Sequence, residues 1–522
     1  MKMKTMMAAA CVVAALTAAA DSPRSVVSLS GKGWLCDGDE VCIPHTWNDV
    51  DGADGSPEGD APPERGMSIA AESYVRKAAH YSRPLPNPTP GRRQFVRFDG
   101  VSRVAEVYVN GQFAGRHAGA FTAFAFEVTR LLQPSNNVMD VVVDNKWNPE
   151  VAPLSADYTL FGGIYRDVEW IETPQVCIDP VTDGACGVEV DAKADGSVHA
   201  RIRVLGGPDE ERDFRIEKPE LWSPENPKLY EETFRIASGD EVKVRFGFRT
   251  VEFREDGFYL NGVRRKLRGV NRHQDDVKAD DPTRPVVAAS DRPAKRALND
   301  IPEQLAFNAY PGWYGDTAME EDCSNWFAAS KRNILCISEY GAGGNPFEHL
   351  DPLPAGRLDP GGAIHPEETQ VKLHAADLRA IQGEPRLWGA FIWAMFDFAA
   401  DARREGGKNG INDKGLVTRD RAVKKDVFYF YKANWSKEPV LHVCSQRAEE
   451  TANATCTVVG FCNAGPVTLV VNGEVVGTQS PDSVKVVTWS DVPLREGENV
   501  VVLRASDGLC SRRMIRRRQL PS

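Results

Sequence analysis

One carboxylate stands out by position. Glu339 closes an apolar run at 334–337, within Ile337-Ser-Glu-Tyr-Gly341. A strand that delivers a single carboxylate to its C-terminal end is how (β/α) barrels place an acid, a base or a nucleophile. Gly341, Gly343 and Gly344 follow and let the chain turn sharply there. A second run at 389–398 carries Trp393 and ends near Asp397. A Trp at a strand end serves a core as readily as a site, but beside a carboxylate it also offers a flat face to the C–H side of a sugar ring. Asn271, Arg272, His273, Gln274 and Asp275 follow the run 267–270. Polar side chains gathered where a strand ends are expensive to bury, so they point to a wet pocket. Tyr310, Trp313 and Tyr314 add hydroxyl and aromatic groups.

The elements that must position these groups follow from the change of period along the chain. Residues 28–175 read as strands, with short β-branched and aromatic runs at 95–98, 105–109 and 138–143. Asn110-Gly111 is a hairpin signal, and 51–66 and 84–90 are loops rich in Gly, Asp or Pro. Residues 183–255 again alternate with period two and have the size of a small immunoglobulin-like sandwich. From 256 to 435 a helical candidate, 367–381, alternates with the short apolar runs 334–337 and 387–393, as in an α/β unit. Residues 439–510 return to strands, with a second hairpin at Asn472-Gly473.

Composition removes several function classes. The 522 residues allow several domains. A formal charge of -11 disfavours nucleic acid, whose phosphates need a concentrated basic surface. The run Arg512, Arg513, Arg516, Arg517 and Arg518 reads as a solvated tail. Lys2 and Lys4, an apolar run at 6–20 and Ala18-Ala-Ala20 read as a secretory leader over 1–20, too short to span a membrane and implying a periplasmic or secreted protein. Eleven cysteines are too few for a disulfide-built scaffold, although Cys36 with Cys42 and Cys456 with Cys462 are close enough in sequence to pair.

Taken together, these motifs resemble glycoside hydrolase family 2, the β-galactosidase, β-glucuronidase and β-mannosidase group, and look most like its bacterial β-galactosidases. The likeness rests on Ile43-Pro-His-Thr-Trp-Asn48, Tyr81, Val107-Tyr-Val-Asn-Gly111, 117–124 and Gly162-Gly-Ile-Tyr-Arg166 in the first domain. It continues in 221–230, Phe246-Gly-Phe-Arg249, 258–262, 269–275, 337–341, 389–398 and 409–416. The resemblance implies a multidomain β and α/β protein: a jelly-roll sandwich over 28–175, an immunoglobulin-like sandwich over 176–255, a (β/α) TIM-type barrel over 256–437 and a C-terminal immunoglobulin-like sandwich over 438–511. It implies a retaining mechanism with Glu339 as nucleophile. It further implies a hydrogen bond to Glu339 from Tyr310 or Tyr314, Trp393 as floor of the sugar subsite, and substrate contacts from Arg272, His273, Asp275 and Asn409. An oligosaccharide or glycoconjugate is the implied substrate, and a homo-oligomer is compatible with it. No cofactor is expected. Mg²⁺ would fit the galactosidase branch, but His365, Glu367 and Glu368 lack ligand spacing and read as a solvated helix start.

The family pattern breaks in one place. Its acid/base is a Glu directly after an Asn, and this chain has no Asn-Glu pair. Residues 269–275 resemble the first barrel strand, whereas Asp281-Pro-Thr-Arg-Pro-Val286 resembles the approach to the fifth. Length agrees, since 267–398 holds 132 residues and a closed eightfold barrel needs about 250. A truncated barrel is expected, with β-galactosidase activity impaired by the lost acid. Asp275 and Glu405 are the weak candidates to replace it. The alternatives are a carbohydrate-binding remnant without catalysis, or β-glucuronidase or β-mannosidase specificity.

Overall fold

The computed structural model describes residues 24–48, 75–151, 161–271, 287–290 and 304–518. The expected leader, the 51–66 loop, the 281–286 segment and Arg272, His273 and Asp275 lie outside them.

The first domain is two facing sheets. One runs in the order Asp39–Ile43, Gly31–Cys36, Ala78–Pro84, Val138–Asp144, Val104–Val109, Gln112–Ala118. The other runs Ser25–Ser28, Val168–Thr173, Arg93–Phe98, Phe124–Glu127. Strand periodicity sends Ala105, Val107 and Val109 inward, where they meet Val96, Phe98 and Trp170 of the facing sheet. This is the expected jelly-roll sandwich. Asn110-Gly111 forms a two-residue hairpin loop with both φ values positive (52° and 75°), and Asn472-Gly473 repeats it (54° and 90°).

A smaller sandwich follows. Val188–Ala192, Ser197–Ile202 and Glu210–Arg215 form one sheet and Tyr230–Arg235 with Glu241–Phe246 another. Ile202, Phe234 and Ile236 lie in its core.

Among the described residues the α/β core holds five parallel strands: β1 (Leu267–Val270), β2 (Val287–Ser290), β3 (Gln304–Ala309), β4 (Leu335–Tyr340) and β5 (Leu387–Ile392). Their order is β1-β5-β4-β3-β2, with every neighbouring pair parallel. Helices α1 (Met319–Ala329) and α2 (Glu367–Gly383) cross over from β3 to β4 and from β4 to β5, and α3 (Asp426–Trp435) packs on α2. Leu335, Ile337, Leu387 and Ile392 share a core with Leu378, Ile381, Val427 and Phe430. A sheet covered this way needs apolar side chains along most of each central strand, which is why β4 and β5 read as short apolar runs. Among the described residues the sheet is open, ending on β1 and β2. The barrel is therefore incomplete, as the length arithmetic requires.

The C-terminal sandwich pairs a three-stranded sheet (Leu441–Val443, Thr455–Cys462, Val486–Pro493) with a five-stranded one. The five-stranded sheet corrects the tail reading. Cys510–Arg517 is a strand paired along Gly497–Ala505, and Arg513 is buried, donating to the carbonyls of Cys444 and Thr457. Alternation in a strand sends every second side chain inward, so one arginine of the run had to find acceptors there.

Neither cysteine pairing forms; all four thiols are free. Cys456 and Cys462 lie on one strand, six residues apart, or about 20 Å at the usual strand rise. Cys36 is buried and Cys42 exposed, and the hairpin register sets Cys36 opposite Asp39.

Candidate active site

The site is built where β3, β4 and β5 end. Opposite β3, Phe307 pairs with Ile337 but Asn308 with Glu339, which leaves Ser338 as an extra residue. Such a bulge re-aims the side chain that follows it. The Ser338 carbonyl, displaced from the ladder, accepts from Asn271 Nδ2 at 2.7 Å, and Ser338 Oγ donates to Asn308 Oδ1 at 2.8 Å. Two polar side chains at strand ends thus hold the bulge that presents Glu339.

Of the two tyrosines, Tyr310 makes the bond. Its hydroxyl donates to Glu339 Oε2 at 2.7 Å. Burial and the Glu339 charge both push the Tyr310 pKa far above the usual phenol value, so it remains a donor. Tyr314 stacks edge-on to Tyr310, with ring centroids 5.2 Å apart, and its hydroxyl accepts from Arg403 at 3.1 Å. Trp393 leaves β5 with its N–H donating to the Tyr340 carbonyl at 2.9 Å, directly beside Glu339. Its ring stands perpendicular to Phe398, 5.8 Å between centroids. Gly341 turns the chain at φ +146°, and a Cβ there would sit 2.9 Å from the Trp393 carbonyl oxygen. Asn409 lies on the hairpin strand Lys408–Asn412, paired with Arg404; its side chain is outside the described residues.

Sequence reasoning missed three groups. Lys414 is 1% exposed, yet its ammonium makes no hydrogen bond among the described residues. It lies 5.0 Å from the Tyr314 ring centre, 5.7 Å from that of Trp313 and 3.9 Å from Glu405 Oε1. Asn412 beside it is buried and accepts the Lys414 backbone N–H. The third is Lys425, whose ammonium donates to Asp397 Oδ1 (2.7 Å), the Gly344 carbonyl (2.6 Å) and the Asp413 carbonyl (2.7 Å). The only sequence signal was a lysine two residues after an asparagine in a loop, and the second lysine of Lys424-Lys425, both unremarkable as residues.

Lys425 fastens three loops at once, those after β4 and β5 and the one bearing Lys414. Lys425→Met leaves the Asp397 carboxylate buried without its partner. It should lower the unfolding free energy by about 3–5 kcal/mol, read as a shift of the denaturant midpoint at unchanged slope.

The remaining acidic groups are engaged. Glu405 accepts from Arg403 at 2.8 Å, and Asp413 pairs with His365 Nδ1 at 2.7 Å. The solvated helix start is corrected: His365 and Glu367 are fully buried. Glu367 is held by Arg447 of the C-terminal sandwich, and Glu368 by His349 and Ser445. Committed to these partners, the three are not a metal shell. Among the described residues no three His, Cys, Asp or Glu side chains gather as for a metal ion. No described helix is long and apolar enough to cross a membrane.

Comparison with known proteins follows the same domain order. The family model described as the sugar binding domain of glycosyl hydrolases family 2 matches residues 29–174, and the model described as glycosyl hydrolases family 2 matches 184–249. Residues 29–174 and 184–249 are thus similar to two domains of glycosyl hydrolases family 2. A Bacteroides fragilis β-glucuronidase is 29% identical, with 88% of each chain covered. That match extends over 628 residues against a chain of 522, so more than a hundred positions of that relative face no residue here. An FMN-binding β-glucuronidase from Facaelibacterium prausnitzii L2-6 superposes with a TM-score of 0.83 at 26% identity, covering 96% of this chain and 99% of its own. A Thermoanaerobacter pseudethanolicus β-galactosidase is 31% identical, but over 35% of this chain and 30% of its own. Two sequence relatives matched over most of this chain, at 88% and 91% of it, are named for glucuronides, one of them as putative, while the solved structures matched over most of it include β-glucuronidases and a putative β-galactosidase from Bacteroides fragilis.

Proposed function

We propose that this chain acts on β-D-glucuronides by a retaining mechanism, with Glu339 as nucleophile. The observation that carries the reading is the Lys414 ammonium, buried and, among the described residues, without a hydrogen-bond acceptor, one aromatic layer from the Tyr310–Glu339 pair; Glu405, 3.9 Å away, is hydrogen-bonded to Arg403 instead. A buried cation is costly unless an anion meets it. A hexuronate brings that anion as the carboxylate at C6, whereas galactose brings a neutral hydroxymethyl group. The galactoside expectation therefore gives way on charge, and the β-glucuronidase relatives support the same direction.

In this reading Lys414 holds the sugar carboxylate, with Arg403 as a second cation on the same side. Trp393 supports the ring. Tyr310 donates to Glu339 Oε2 and orients the carboxylate that attacks C1. The C1–Oε bond forms as the bond to the leaving oxygen breaks, and water later cleaves the ester. Lys414→Met tests the assignment. It should lower kcat/KM for 4-nitrophenyl β-D-glucuronide about 100-fold, as expected when one charge-assisted bond of roughly 3 kcal/mol is lost. The corresponding glucoside should change less than about threefold, within the scatter of a surface-like change. A wild-type protein that cleaves 4-nitrophenyl β-D-galactoside in preference to the glucuronide sinks the reading.

A further inference from the structure

Behind Lys414 lies a buried pair that the proposed chemistry leaves unused. His365 Nδ1 meets Asp413 Oδ2 at 2.7 Å, and Asp413 immediately precedes Lys414. His365 Nε2 and Asp413 Oδ1 make no hydrogen bond among the described residues. The carboxylate is wedged between glycines: a Cβ on Gly343 or on Gly406 would come within 2.3 Å of one of its oxygens. The Trp313 ring meets the imidazole edge-on at 4.7 Å, and the same indole lies beneath the Lys414 ammonium. The pair is therefore held in place from several elements and sits against the anion-binding lysine.

We propose that His365 and Asp413 are positioning residues that set the charge behind Lys414, so that an anionic sugar is held more tightly while His365 carries its second proton. The proposal rests on the glucuronide reading. Nδ1–H faces the carboxylate in both protonation states, so the hydrogen bond persists and only Nε2 gains or loses a proton. With the imidazolium the pair is neutral. With the neutral imidazole it carries a buried negative charge, which repels a second carboxylate brought to Lys414. The other charged groups facing the pair are Glu405 and Lys414 from the hairpin side, Asp397 from the loop after β5, Lys425 from the residue before α3, and Glu348, which accepts the His365 backbone N–H at 2.6 Å. Burial works against the His365 charge, but Asp413 outweighs it and the His365 pKa is raised above its ordinary value of 6.5. The Asp413 pKa is lowered, its burial being outweighed by His365. The change in affinity therefore falls on the alkaline side of 6.5.

Calorimetric titration of the full chain with D-glucuronate between about pH 6 and 9 tests this, with D-glucose as the neutral probe; the free sugar acid stays ionised throughout. The glucuronate Kd should rise about tenfold across that range, as expected for one buried charge at short distance. The glucose Kd should stay flat, and glucuronate binding near the midpoint should take up protons from buffer. H365Q, which keeps the Asp413 charge without the proton, should bind glucuronate weakly at every pH. D413N should bind it tightly with no pH dependence. A purely structural role would move both sugars together. If D413N does not fold, the wild-type profile and H365Q still decide. A wild-type glucuronate Kd that does not change with pH, or an H365Q profile identical to wild type, overturns the proposal. Failure of the wild-type protein to bind glucuronate at any pH removes the glucuronide reading itself.

Discussion

Glu339→Gln is expected to remove more than about 99% of any glycoside cleavage, because no amide can form the glycosyl ester. The variant keeps the shape of the site. A glutamine carbonyl still accepts the Tyr310 hydroxyl that now lies 2.7 Å from Oε2, and the Ser338 bulge is held by Asn271 and Asn308, independently of the carboxylate. Sugar binding should therefore survive while kcat and kcat/KM fall together, the pattern of an interaction made in the transition state. Steady-state kinetics on 4-nitrophenyl β-D-glucuronide, with D-glucuronate binding as the control for folding, gives the answer. Activity that persists in E339Q means another group attacks C1.

The second large effect belongs to the leaving group. A positioned general acid contributes about 10²–10⁴-fold when the departing oxygen is basic. This chain has no Asn-Glu pair, and the carboxylates described around the site are already committed: Asp397 to Lys425, Glu405 to Arg403, Asp413 to His365. Glu405, a candidate acid by sequence, is thus tied into an ion pair. Nitrophenolate leaves with little help, whereas a sugar or alkyl alcohol does not. The expected result is a ratio of kcat/KM for 4-nitrophenyl over methyl β-D-glucuronide that exceeds the ratio in an acid-equipped enzyme by about 10²–10⁴. Efficient cleavage of the methyl glucuronide would overturn this, and would place an acid among 272–286 or 291–303, where Asp275 is the first candidate to replace.

What could be read in advance followed the physics of pattern. Alternation in Val104–Val109 and the Asn-Gly turns are local signals, and both hairpins form where they stand. The apolar runs of β4 and β5 announce buried parallel strands, and Glu339 follows from its place at the end of one. The count of residues between β1 and β5 announced an incomplete barrel. Other groups could not be read, because their roles are set by distant partners. Lys425 acquires its function from Gly344, Asp397 and Asp413, and Lys414 from the tyrosine and tryptophan beneath it. His365 and Glu367 look like an exposed helix start until the C-terminal sandwich and the Asp413 loop cover them. Sugar specificity was out of reach for the same reason: on the proposed reading it depends on a net charge assembled from separate loops.

The contacts between the α/β core and the last domain set an order for biosynthesis. The start of α2 is held by Arg447 on Glu367, and the start of α3 by the Ser445 N–H and His442 on Asp426. All three holding residues come after the helices they secure. A ribosome releases the chain from its N-terminus, so the jelly-roll and the small sandwich can settle early, while both helices wait with buried carboxylates unpaired. The strand that carries Glu339 is thus finished long before the scaffold behind it is, and a nascent chain stalled before residue 442 carries Glu339 without a rigid place to put it.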